Sequence, residues 1–146
     1  MWLCGCSNEA QPKPIRCLTG FELRMTGTGH VLLSDTDVDY YDWRNHEFHT
    51  RNSVKDRFAA LIRTSRPHDL ELVVGGRTIL YAQLYVDTAA IDPFDILVDV
   101  PNERTVMLIH QHHRELFGRD RIRVVDLRDN ERLWSMLYSQ RKLRNF

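Results

Sequence analysis

The stretch Leu70-Glu71-Leu72-Val73-Val74-Gly75-Gly76-Arg77-Thr78-Ile79-Leu80-Tyr81-Ala82-Gln83-Leu84-Tyr85-Val86 decides the fold class. Leu70, Leu72 and Val74 alternate into the glycine pair, and the run from Thr78 to Val86 alternates out of it. Two glycines between alternating runs predict a tight hairpin. Its central residues need positive φ, which glycine adopts without a Cβ clash.

Upstream, Phe21, Leu23 and Met25 alternate with Glu22 and Arg24, the period of a half-buried strand. Gly27-Thr28-Gly29 breaks it as a turn, since it has neither the lysine nor the spacing of a phosphate-binding loop. Val31-Leu32-Leu33 follows, then a turn at Ser34-Asp35-Thr36-Asp37. Val38 to Trp43 and His46 to Thr50 read as two strands about a turn at Arg44-Asn45. A helix is expected next, with Ser53 as N-cap and Asp56 three residues on. Val54, Phe58, Leu61 and Ile62 make its apolar face, Lys55, Arg57 and Arg63 its wet side, and Pro67 its end.

Downstream of the hairpin, a loop from Asp87 to Pro93 leads to strands at Ile96-Leu97-Val98, Val106 to Ile109 and Ile122 to Val125. Asp129 is the expected cap of a last helix carrying Leu133, Trp134, Met136 and Leu137, with Arg141, Lys142 and Arg144 near its C-terminus. Strands joined by hairpins outnumber helices. The expectation is an α+β domain, a mostly antiparallel sheet with two helices packed on one face. Residues 15–146 make that single domain and residues 1–14 a flexible N-terminal tail or tether.

The chain has 146 residues and 20 basic side chains against 20 acidic ones. A net charge of zero gives no global attraction to nucleic acid, and no apolar run approaches the ~20 residues of a membrane-spanning helix. Charge is nonetheless segregated: Asp35 to Glu47 is acidic, and Arg114 to Phe146 is basic. Patches of that kind ordinarily lie on solvated faces.

Cys4, Cys6 and Cys17 are an odd set near one end, too few for a disulfide framework or a four-cysteine zinc site. Leu3-Cys4-Gly5-Cys6, followed by the polar stretch Ser7 to Pro14, resembles the bacterial lipobox. The resemblance implies that Cys6 becomes a lipidated N-terminus and that the residues to Pro14 tether it. Only Met1 and Trp2 precede the box, so this reading places the apolar part of the signal upstream of Met1. The competing reading is a cytoplasmic protein with two incidental thiols.

A second resemblance spans Val31 to Val86. Leu33, Asp35, Asp37 and Val38, then Phe58-Ala59-Ala60-Leu61, then Leu72-Val73-Val74-Gly75-Gly76 continuing into Arg77-Thr78-Ile79-Leu80, follow one another as in a known module. It resembles the head subdomain in the first periplasmic domain of the protein-export subunit SecD. Tyr40-Tyr41-Asp42-Trp43 with His46, and Ile79 to Tyr81, are similar to small uncharacterised bacterial envelope lipoproteins. Both likenesses imply a module of the envelope rather than an activity. The transport role is not carried over.

Candidate chemistry is sparse. Asp35-x-Asp37-x-Asp39 opens like a calcium loop, but Tyr40 and His46 stand where glycine and glutamate belong. Acid clusters before a strand ordinarily serve as turn caps. His110 and His112 share one face if their strand continues, the start of a metal site whose other ligands must come from elsewhere. His46 and His49, on a strand, would face opposite sides. Cys17 with His30 has nothing to activate the thiol, and no G-x-S-x-G elbow is present. Tyr40 and Trp43 on one hairpin and Tyr81 and Tyr85 on another suit a sheet-face patch for a protein partner. With Tyr40 and Tyr41 adjacent, one of them must leave the core face.

The expectation is therefore a non-enzymatic envelope lipoprotein acting through protein contacts, without cofactor or nucleic acid. The alternative is a soluble small-ligand or metal-binding domain on His110 and His112.

Overall fold

The computed structural model describes residues 20–64, 66–85, 96–110, 126 and 128–146. They form β1 (Phe21–Met25), β2 (Val31–Ser34), β3 (Val38–Asp42), β4 (Glu47–Thr50), α1 (Lys55–Ile62), β5 (Asp69–Val74), β6 (Arg77–Leu84), β7 (Ile96–Asn102), β8 (Thr105–His110), α2 (Glu131–Ser139) and β9 (Leu143–Arg144). The decisive hairpin forms as its glycines require. Gly75 and Gly76 take φ of 57° and 76°, and Val74 pairs with Arg77 across them.

All nine strands join one sheet in the order β2-β1-β5-β6-β7-β8-β4-β3-β9. It curls into a half-barrel. Phe21, Leu23, Leu72, Leu80, Leu84, Ile96, Val98, Leu108 and Phe48 turn into a single core, joined by Phe58 of α1, Leu133 and Leu137 of α2, and Leu143 of β9. Every element contributes to that core, which ties the two ends of the described chain to one apolar cluster.

The expected α+β domain with a mostly antiparallel sheet and two helices on one face is corrected by this topology. The sheet is mixed and dominates the structure: β6–β7 and β3–β9 pair in parallel, and the helices have only 8 and 9 residues. Hairpin logic links neighbours in sequence. Here α1 separates β4 from β5, so β4 takes β8 as its partner, and β9 returns after α2 to lie beside β3. Such long-range pairings carry no local signal.

Helix starts also differ from expectation. Val54, not Ser53, is the N-cap of α1, and no side chain caps it. So short a helix falls below the ~12–15 residues that sustain an isolated one. Buried Phe58 and Val54 hold it against the sheet, and Arg57 forks onto Asp37 at 2.7 and 3.0 Å. The end of α1 at Ile62 comes well before Pro67. In α2 the cap is Asn130, whose Oδ1 accepts from the amides of Arg132 and Leu133. A cap of that type stabilises a helix by ~1 kcal/mol. Asp129 is thereby released for another role. The expected tail 1–14, the loop Asp87–Pro93 and the strand Ile122–Val125 lie outside the described residues.

Candidate functional site

The four aromatics expected to share a patch stand apart. Tyr41 enters the core, fully buried, so its neighbour Tyr40 faces the other side of β3 and stacks on His49 at 4.4 Å and 12°. Trp43 packs edge-on against Tyr41 at 5.9 Å. Tyr81 lies on β6 and Tyr85 just beyond it, on the surface. The strands β7, β8 and β4 intervene between β6 and β3, so the two pairs belong to different parts of the sheet.

A different aromatic surface forms where α2 runs into β9. Trp134 and Tyr138, one helical turn apart, stack at 4.9 Å and 9°, and Phe146 meets both edge-on at 6.1 and 6.4 Å. Tyr138 is 58% and Phe146 72% exposed. Tyr138, Ser139, Arg141, Leu143, Arg144 and Phe146 line a shallow depression beside it.

The backbone under this surface is pinned. Lys142 N donates to Leu137 O, Tyr41 N to Lys142 O, and Trp43 N to Arg144 O, all within 3.0 Å. The Asn145 side chain donates to Asp42, Gln140 to Asp35, and the Lys142 ammonium to the Asp35 carbonyl. Arg141 and Asn145 take φ of 56° and 54°, left-handed conformations that these contacts enforce without glycine. The guanidinium of Arg144 bonds the carbonyls of Arg141 and Leu143, which blunts the sheet edge at β9.

The other notable constellation surrounds His46, in the β3–β4 turn at φ 54°. Asp42 builds that turn by accepting from the amide and side chain of Asn45. The His46 carbonyl accepts from Leu108 N, which locks the turn to β8. The ring sits between Trp43 and Tyr41; its Nδ1 meets the Tyr41 hydroxyl at 2.9 Å and its Nε2 lies 3.4 Å from an Asp129 oxygen. Asp126 lies beside them, clasped by the Arg128 guanidinium, which also bonds the Leu108 carbonyl.

Burial lowers the His46 pKa, and the Arg128 charge adds to that, against the pull of Asp126, Asp129 and Asp42. Burial likewise pushes the Tyr41 phenol far up. Burial raises Asp126, but the Arg128 hydrogen bonds outweigh it and bring the carboxyl down to about 2. A neutral ring beside a protonated phenol and an ionised carboxylate has one self-consistent arrangement. The Tyr41 hydroxyl donates to Nδ1, and the Nε2 proton faces Asp129.

The remaining candidates resolve differently. Asp37 accepts from Ser34 N and pairs with Arg57; Asp39 lies 4.0 Å from Arg51; Asp35 is held by Gln140 and Lys142. These acids serve as caps and ion-pair partners of separate groups. His110 is buried on β8; its expected metal partner His112 lies outside the described residues, as do Cys6 and Cys17. Sequence reading missed His46 because it placed the residue on a strand rather than in a left-handed turn. It names Trp134 on the last helix without pairing it to Tyr138, although aromatics four apart in a helix are the signal for such a stack. No family model, curated protein or solved structure matches this chain.

Proposed function

We propose that the chain is a non-enzymatic binding module of the bacterial cell envelope, anchored through Cys6, whose contact face is the surface of Trp134, Tyr138, Phe146, Arg141 and Arg144. The exposed, rigidly held aromatic stack flanked by two arginines carries this reading. Tyr, Trp and Arg supply most of the energy in protein contacts, and a surface ordered in advance loses little entropy on binding. The flanking guanidiniums favour an acidic segment bearing an aromatic or large aliphatic side chain. With the strand edge blunted by Arg144, the partner engages side chains instead of extending the sheet.

The chemistry near His46 also favours binding over catalysis. The Tyr41–His46–Asp129 chain ends on a buried phenol whose raised pKa makes it a poor nucleophile or base. Envelope placement rests on the lipobox-like residues around Cys6 and on the likeness of Val31 to Val86 to the SecD head subdomain. Intact-mass analysis of the product, expressed in its host with the codons upstream of Met1, is expected to find a chain beginning at an acylated Cys6. An unmodified chain beginning at Met1 removes the anchor.

The double variant Tyr138→Ala/Phe146→Ala tests the contact face. Both side chains are largely exposed, so each change alters stability by no more than about 0.5 kcal/mol. Partner binding is expected to weaken at least about tenfold, the scale set by losing one good aromatic contact. Unchanged affinity in the folded double variant would assign the contact to another face.

A further inference from the structure

We propose that His46, Asp129 and Asp126 form a binding site for a divalent transition metal of the zinc type. One ligand atom from each of these residues lies within 4.8 Å of the other two. Two ligands about 2.0–2.1 Å from a tetrahedral zinc stand about 3.4 Å apart. His46 Nε2 and Asp129 Oδ1 are separated by 3.4 Å.

The imidazole is prepared for the role by its other nitrogen. Metal-bound histidines ordinarily hydrogen-bond through the second ring nitrogen, which fixes the ring plane. Here the Tyr41 hydroxyl holds Nδ1 at 2.9 Å, and Trp43 and Tyr41 flank the ring. On binding, the single ring proton moves from Nε2 to Nδ1 by exchange with solvent, which frees the Nε2 lone pair for the metal; Nδ1–H then donates to the Tyr41 oxygen, and the phenol keeps its own proton. The exposed Asp129 carboxylate closes the site from the solvent side. Asp126 supplies the third oxygen by turning within the grip of Arg128, whose charge offsets one carboxylate. Water completes the tetrahedron.

One nitrogen and two carboxylates suit zinc, cobalt or manganese. Calcium, which takes six to eight oxygens, finds too few here.

The test uses the full chain, stripped of metal by chelation, with zinc, cobalt and calcium chlorides added separately. Zinc at about a hundredfold excess over its Kd is expected to raise Tm by about 5 °C or more, and calcium to leave it unchanged. Cobalt is expected to give the visible d–d bands of a tetrahedral site. Asp129→Asn alters an exposed side chain and leaves the fold intact. It is expected to lose the zinc shift and the cobalt bands, as is His46→Gln. No zinc shift in the parent chain overturns the assignment, and so does an equal shift in Asp129→Asn, which would place the metal elsewhere.

Discussion

Phe48→Ala is expected to destabilise the protein by about 3–5 kcal/mol. Phe48 is fully buried on β4, with its ring 4.6 Å from Tyr41 and 5.6 Å from Phe21. It therefore links β1, near one edge of the sheet, to the β3–β4 hairpin near the other, across the concave side of the half-barrel. Removing the ring leaves a cavity that strands fixed by β4–β8 pairing cannot collapse to fill. Urea denaturation at neutral pH measures the loss. Tyr81→Ala on the outer surface serves as the control and is expected within about 0.5 kcal/mol of the parent. A loss under about 1 kcal/mol for Phe48→Ala would show that β1 and β4 do not meet across a common core.

The second large effect is expected from Tyr41→Phe. The change keeps the ring and deletes the hydroxyl that satisfies His46 Nδ1 in the interior. A buried nitrogen left without its partner costs about 1–3 kcal/mol. The same histidine gives stability a pH dependence with a definite sign. Its folded pKa lies below the ordinary 6.5, so on acidification the unfolded chain takes up a proton there first. The contribution is complete above pH 6.5 and is lost as pH falls below it. Asp126 acts over a lower range. Its folded pKa of about 2 against an ordinary 3.8 stabilises above 3.8 and ceases to as pH falls toward 2. Denaturation midpoints at pH 7.5, 6.5 and 5.5 are expected to decline in the parent and to decline less in His46→Gln. A parent profile flat across that range would contradict a buried, neutral His46.

What the sequence made legible was local. Gly75-Gly76 announced its turn because positive φ is a property of those two residues, and the alternation of Phe21, Leu23 and Met25 announced β1 for the same kind of reason. Tyr40 and Tyr41 were bound to part company across β3, and they do. The pairings that curl and close the sheet were not legible. Nothing in Glu47–Thr50 names Thr105–His110 as its partner, and the two residues of β9 are too few to show a period. The sequence places both helix caps one residue early. Ser53 and Asp129 have suitable side chains, but the backbone turns helical only after Val54 and Asn130.

The candidate sites were less legible still. The sequence points to His110 on β8, whereas His46, Asp126 and Asp129 converge only because the β3–β4 turn docks on β8 beside the start of α2. Tertiary placement, not spacing, brings them together. The basic character of the C-terminal third was visible, but not that two of its arginines flank a stacked Trp134 and Tyr138.

The contact face is tested most directly by following backbone amide chemical shifts by NMR while adding a peptide that alternates Asp or Glu with Phe or Trp, against its lysine counterpart. The acidic peptide is predicted to shift Tyr138, Arg141, Arg144 and Phe146, and the basic one to leave them in place. Shifts confined to other residues, or none at these four by about 1 mM peptide, the weak limit of specific recognition, would contradict the assignment of this surface to protein contacts.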